Sequence, residues 1–469
     1  MNNLKATLCL SLGVIACLSG CSLAPSYVRP KPSVPTTLPS GPAYAPPQAM
    51  PGDVIPDKTP WQEFLVDQRL RKIVALALEN NRNLRIAALN VERARAIYGI
   101  ERADLFPALN ATGTLAKEHI PAGLSGTGKA FTSEQYGANL GVASWEIDFF
   151  GRIRSLTEAA LQEYLATQQA RRGVEISLIA EVASAYLALA ADRESLRLAQ
   201  TTLESHKDAY ALVKHRYERG VAPELDVHRA QTQVDTADRS VAQFTQQVAQ
   251  DQNALDLLAG GPVPGDLLPT DLAHVLPPRE ISPGLSSAVL LQRPDILEAE
   301  NRLKAANANI GAARAAFFPR VTLTAAAGAA SSDLSGLFKS GSGTWAFAPQ
   351  VVVPVFDPRT WSAVKVTETD KQLAIDQYKR AIQVSFKEVA DALAVRGTIG
   401  QQVASQESLV KAVSETYRLS FLRYTKGVDS YLSVLDSQRS LYAAQQGLVL
   451  LRLARLTNRV RLYAVMGGG

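Results

Sequence analysis

Cysteine is nearly absent from this chain of 469 residues, and the three present, Cys9, Cys17 and Cys21, all lie near its start. Disulfide frameworks, thiolate metal sites and cysteine nucleophiles are thereby excluded from the body. Aromatic residues are scarce at 7%, and the charge is nearly balanced, with 49 Lys plus Arg against 44 Asp plus Glu. No basic patch with interleaved aromatics occurs, so no nucleic-acid partner is expected. Acidic residues are missing altogether before Asp53, and proline is missing between Pro121 and Pro223 and again after Pro358. Apolar residues make up 46%, too few for a bundle of membrane helices and ordinary for a folded protein long enough for several modules.

The first twenty residues have the layout of a secretory signal. Lys5 supplies the positive charge, Ala6 to Leu18 a short apolar run, and Ser19 and Gly20 the small residues before Cys21. Leu18-Ser19-Gly20-Cys21 also resembles the lipobox of bacterial lipoproteins, in which the Cys becomes the lipidated first residue. Ser22 follows where an Asp would imply retention at the inner membrane, so the resemblance implies transfer to the outer membrane. From Ser22 to Pro60 the chain holds eleven of its 25 prolines. That excludes helix and central strand and predicts an extended tether over residues 21–60.

The body is an internal repeat. Tyr210, Leu212, Arg216, Tyr217, Gly220, Val221, Leu225, Val227 and Gln231 recur as Tyr417, Leu419, Arg423, Tyr424, Gly427, Val428, Leu432, Val434 and Gln438, a constant offset of 417 minus 210, or 207. Residues 61–259 and 284–469 are read as the two copies, joined by a Gly- and Pro-rich linker over 260–283. Each copy is expected to hold a helix, a β-hairpin (107–150; 319–357), a very long helix (152–219; 359–426) and a final helix (223–259; 428–465). A column at strict sevens, Leu189, Leu196, Leu203, Tyr210 and Tyr217, with Val403, Val410, Tyr417 and Tyr424 in the second copy, predicts coiled-coil contact between side-by-side helices. Its neighbour, Ala199, His206 and Val213 against Gln406, Val413 and Ser420, is mixed, which predicts a narrow seam.

The hairpins alternate apolar and polar residues, as in Leu109 to Leu115 and Val321 to Ala325, and carry Trp145 and Trp345. With an export signal this fits an outer-membrane β-barrel. Four strands cannot close one, and an open edge is intolerable in lipid, so other copies of the chain are expected to complete it.

Ser144-Trp145-Glu146-Ile147-Asp148-Phe149-Phe150-Gly151-Arg152, Gln292-Arg293-Pro294-Asp295-Ile296 through Phe318-Pro319, and Arg423-Tyr424 to Asp436-Ser437-Gln438-Arg439 resemble the outer-membrane factors of bacterial tripartite efflux pumps. These are TolC-like channel-tunnels, and the likeness is to the lipoprotein branch often called NodT-like. The resemblance implies a homotrimer, a twelve-stranded barrel continued by a periplasmic twelve-helix α-barrel. Its implied role is a passive duct, conferring multidrug efflux and antibiotic resistance with a periplasmic adaptor and a proton-driven inner-membrane transporter. An envelope structural or adhesin-like coiled-coil protein without transport is the alternative, and a hydrolytic enzyme would need an acid, base or nucleophile set that is not visible. Gly123 to Ala130 nearly matches a phosphate-binding loop, but Ala130 replaces the required Ser or Thr, and the stretch lies inside a hairpin. His119, His206, His215, His228 and His274 show no ligand spacing, so neither metal nor cofactor is expected.

The repeated turns are the candidate site. Arg216, Gly220 and Val221, with Arg423, Gly427 and Val428, are expected at periplasmic tips that meet the adaptor, each Gly ending a helix. A helix starting after Gly427 places Leu432, Asp436 and Arg439 on one face, which predicts a constriction where Asp436 carboxylates approach one axis. Tyr424, Arg439 and Arg229 are the donors expected to tie inner helices to outer ones. The resemblance supports Leu432, Asp436 and Tyr424 as gate residues.

Overall fold

The protein is seen in a computed structural model that describes residues 22–44, 54–55, 59–282 and 287–468. Cys21 and the signal segment lie outside the described residues. The chain divides into two compact units, each assembled from both copies of the repeat. One takes the described residues through Lys31 with Asn90–Gln168 and Glu298–Tyr378; the other takes Pro32–Leu89, Gln169–Leu297 and Lys379 onward.

In order, the main elements are α1 (Gln68–Asn80), α2 (Arg82–Ala103), β1 (Leu109–Ile120), β2 (Phe131–Ile147), α3 (Arg152–Glu218), α4 (Glu224–Ala259), α5 (Pro294–Ala315), β3 (Arg320–Ser331), β4 (Gly343–Val352), α6 (Pro358–Thr425) and α7 (Tyr431–Val465). The proline-free stretches form α3 and α6, of 67 and 68 residues, against the 10 to 14 of an ordinary helix. The two copies differ at their start. Asn81 interrupts the first, where its side chain caps α2 through the N–H groups of Asn83 and Leu84, whereas the second enters the single helix α5 through Pro294.

The first unit carries the sheet, antiparallel in the order β1-β2-β3-β4. Leu109 pairs with Val142, Tyr136 with Ser331, and Arg320 with Val352. A bulge between Val142 and Trp145 puts Ser144 at φ 52°, and its N–H bonds the Thr324 hydroxyl at 3.1 Å. β1 and β4 are the edges, and nearly all their side chains are exposed on both faces. Trp345 is 81% exposed and Leu109 65%. Among the described residues no second layer covers the edge strands, which is the arrangement of a sheet whose surroundings are lipid on one side and lumen on the other.

The tether is seated along α5. Arg29 grips Glu300 bidentately at 3.0 and 2.6 Å, the Tyr27 hydroxyl donates to the same carboxylate at 3.2 Å, and Asn307 donates to the Pro25 carbonyl at 2.7 Å. Glu300 is buried, and although burial alone would raise its pKa, Arg29, Lys304 and Tyr27 hold it below the usual carboxylate range.

In the second unit the Gly- and Pro-rich linker is packed, not loose. Val263, Leu267, Leu268, Leu272, Val275 and Ile281 are buried, and Val54 of the tether forms a parallel bridge with Ile281. The heptad columns need a correction. Leu189 and Leu203 are buried, but Tyr217 is 43% exposed, while Ala199, His206 and Val213 of the column read as mixed are all buried. His206 is accommodated beside the equally buried Gln438, and desolvation pushes its pKa down. The buried stripe of α3 is therefore wider than a seam one residue broad, as expected of a helix contacted from more than one side.

Candidate functional site: the paired helix reversals

Both long helices end in the same turn within the second unit. At α3, the Gly220 N–H donates to the Tyr217 carbonyl at 2.8 Å and the Val221 N–H to the Arg216 carbonyl at 2.9 Å. At α6, Gly427 donates to Tyr424 and Val428 to Arg423, both at 2.9 Å. These are the two bonds of a Schellman stop, in which the residue after the cap turns left-handed. Gly220 and Gly427 have φ 74° and 75°, where a Cβ is strained, and Val221 and Val428 behind them stand exposed.

The two copies then diverge through one substitution. Asp429 reaches back to Arg423 with a bidentate pair, Nε to Oδ2 at 2.6 Å and Nη2 to Oδ1 at 3.1 Å, which holds the Asp429 carboxyl below its usual range. The position corresponding to Asp429, 429 minus 207, is Ala222. Arg216, the counterpart of Arg423, has no acid at the position equivalent to Asp429 and lies over the second copy instead. Its guanidinium carbon is 4.7 Å from the centre of the Tyr424 ring, and Nη1 donates to the Tyr424 carbonyl at 3.2 Å.

Beneath this contact Val213 and Ala230 of the first copy pack with Tyr424, Tyr431, Val434 and Leu435 of the second. The two tyrosine rings are 5.2 Å apart and tilted. Burial raises the pKa of both phenols; at Tyr424 the Arg216 charge opposes the rise and Asp226 adds to it. Among the described residues the Tyr424 hydroxyl is buried without a hydrogen-bond partner.

α7 leaves this cluster with a divided surface. Tyr431, Val434 and Leu435 face the cluster, whereas Leu432, Asp436 and Arg439 are exposed, as their spacing of four and three requires. Arg439 forms an ion pair with Asp436 within the helix, and Arg229 pairs with Asp226 at 3.6 Å within α4. Tyr424, Arg439 and Arg229 were expected to bond across helices. In this chain the arginines bond along their own helices, and the link between the helical pairs is made by Arg216 and the apolar cluster.

Tyr431 escaped the sequence reading although it continues the column of sevens through Tyr417 and Tyr424, because the Gly427 turn breaks helical periodicity just before it. Asp226 and Asp429 escaped because each has a polar or small residue, not an acid, at the corresponding repeat position. The glycine-rich stretch from Gly123 to Ala130 falls in the β1–β2 connection.

Comparison with known proteins gives this geometry a context. A family model described as outer membrane efflux protein matches residues 73–261 and 285–468, one segment for each copy. The toluene efflux pump outer membrane protein TtgC of Pseudomonas putida is 46% identical over 464 residues, 98% of this chain and 95% of the relative. A crystal structure of a membrane protein from Pseudomonas aeruginosa is 38% identical with a TM-score of 0.88, covering 95% of this chain and 100% of the other. The open state of the Neisseria gonorrhoeae MtrE outer membrane channel is 36% identical with a TM-score of 0.85, covering 96% and 98%. The likeness extends through both copies, the sheet and the reversing helices, and on it the chain belongs to the outer membrane efflux protein family, as an outer-membrane channel of an efflux system.

Proposed function

We propose that three copies of the chain assemble into a twelve-stranded barrel in the outer membrane, continued by a tunnel of twelve helices in the periplasm. The observation that carries this is the open sheet: β1 and β4 each leave one ladder edge unpaired, and side chains on both faces are exposed. In lipid every unpaired backbone group costs several kcal/mol, so the edges must meet those of neighbouring copies. Three sheets of four strands give a closed barrel in the observed size range of such proteins.

The duct is passive and works with a periplasmic adaptor and a proton-driven inner-membrane transporter. The adaptor meets the reversals at Arg216, Gly220 and Val221 and at Arg423, Gly427 and Val428. The constriction lies on the exposed face of α7, where Leu432 and Asp436 converge in the trimer, and the Arg216–Tyr424 contact holds the helical pairs that flank it. Cargo is small and weakly polar, by analogy with the toluene pump relative. Cys21 carries acyl chains that add a second hold on the membrane. Purified protein reconstituted in planar bilayers should give discrete channels, and deletion should sensitise cells to drugs or solvents. Silent bilayers together with unchanged sensitivity would favour a structural envelope protein instead.

A further inference from the structure

The register of the sheet sorts its side chains into two faces, because residues paired across antiparallel strands project to the same side. Leu109 pairs with Val142, Trp145 with Leu323, and Val321 with Val351, and this face is apolar. The other places Thr112 opposite Asn139, Glu146 opposite Thr322, and Thr322 opposite Gln350, and is polar. In a barrel whose apolar face meets lipid, the polar face lines the lumen. Among the described strand residues the charged side chains on that lumen face are Glu118, near the far end of β1, and Glu146 and Arg320, at the end of the sheet that joins the helices.

Glu146 and Arg320 meet on that face. Arg320 pairs with the Glu146 carboxylate, which also accepts Arg152 bidentately, from Nε at 2.9 Å and Nη2 at 2.8 Å. The two partners are unequally placed. The Glu146 side chain is 11% exposed and that of Arg320 58%, so the carboxylate is sunk and the guanidinium stands towards the lumen. The floor beneath them is firm: a cavity of about 260 Å³ there is walled by Phe149, Phe150 and Phe318, and the last two rings stack with centres 4.8 Å apart. Twelve strands about 4.8 Å apart and tilted by roughly 40° put the wall about 12 Å from the barrel axis. An arginine spans about half of that distance, and the remainder is less than the ~8 Å Debye length at physiological ionic strength. Charges from three copies therefore act together on whatever passes.

We propose that Arg320 and Glu146 form a charge collar at the periplasmic end of the barrel, repeated three times around the axis, which sets the charge preference of the duct: the exposed guanidinium favours anionic cargo and holds back cations. The collar rests on the trimeric barrel proposed above and adds to it a selecting element separate from the constriction on α7.

Reversal potentials of the full-length protein in planar bilayers, under a gradient of potassium chloride at low salt, test it. Arg320→Gln should raise the potassium-to-chloride permeability ratio several-fold, and because Arg152 still holds Glu146 the fold should persist. Glu146→Gln should lower the ratio. The double variant leaves the net charge of the pair unchanged and should return close to the unmodified protein. Arg320→Lys keeps the charge without the fork and should behave as the unmodified protein does, which separates charge from packing. All shifts should shrink at about 1 M salt, where the Debye length is about 3 Å. With channels formed, unaltered ratios in both single variants, shifts of the same sign in both, or a ratio in Arg320→Lys matching that of Arg320→Gln would each overturn the collar. Silent bilayers from the unmodified protein would instead overturn the barrel itself, and the collar with it.

Discussion

Arg216 lies with its guanidinium over the ring of Tyr424, 4.7 Å from ring centre, and bonds that residue's backbone carbonyl as well. The contact spans the two copies of the repeat and uses the tyrosine's face and backbone, leaving its hydroxyl buried and unbonded among the described residues. Cation–π contacts of this kind contribute about 0.5–2 kcal/mol. Tyr424→Phe should therefore be neutral or slightly stabilising, because it removes an unsatisfied buried group. Tyr424→Ala should cost about 3–5 kcal/mol through the cavity left in the tyrosine cluster. Heat dissociation of the assembled protein on gels compares them, and equal losses would mean that the hydroxyl is bonded.

If that contact restrains the constriction, Arg216→Gln combined with Asp436→Asn should raise single-channel conductance and admit large antibiotics. Leu432→Ala should widen the same point. Unaltered conductance from the double variant, at normal assembly levels, would place the gate away from α7.

Gly427→Ala isolates the backbone requirement of the tip, since no atom lies within 4 Å of where its Cβ would stand. The cost should be only the left-handed penalty, roughly 1–2 kcal/mol. Crosslinking to the adaptor should fall while trimers still form. Intact crosslinking in both Gly427→Ala and Gly220→Ala would remove the turns from the docking surface.

Most of the architecture was legible because its determinants are local. The absence of proline over two long stretches, the 207-residue offset and the strand alternation each act within a segment. Gly220 and Gly427 were legible for the same reason, since a Schellman stop is written in a few adjacent residues. Arg216 over Tyr424 was not. The two are 208 positions apart, and what sends Arg216 there is a missing acid at Ala222, a signal visible only when the copies are aligned and Asp429 is known to hold Arg423. His206 was hidden likewise: its burial depends on Gln438 arriving from the other copy.

Asp192 provides a pH test. Burial, then a hydrogen bond to Asp251 and the charge of that residue, push its pKa up to about 7. A carboxyl that binds its proton more tightly when folded favours the folded state at low pH. Its contribution is present below the unfolded value near 4 and fades as pH rises towards 7. Resistance to heat dissociation should thus decline from about pH 5 to 7, and Asp192→Asn should flatten that slope. An unchanged slope in the variant would assign it to other groups.

Mass spectrometry of the mature N-terminus should find an acylated Cys21. Cys21→Ala should block processing at that position while leaving channels that still insert, because the barrel supplies most of the membrane-buried surface. An unmodified Cys21 would refute the anchor.

The seat of the tether sets an order on biogenesis. Pro25, Tyr27 and Arg29 are made and exported early, yet their partners Asn307 and Glu300 follow more than 270 positions later. Contacts of such separation close late. That early segment is thus among the last to find its place, and until the second repeat has been delivered the acyl chains proposed on Cys21 would be what keeps it near the membrane.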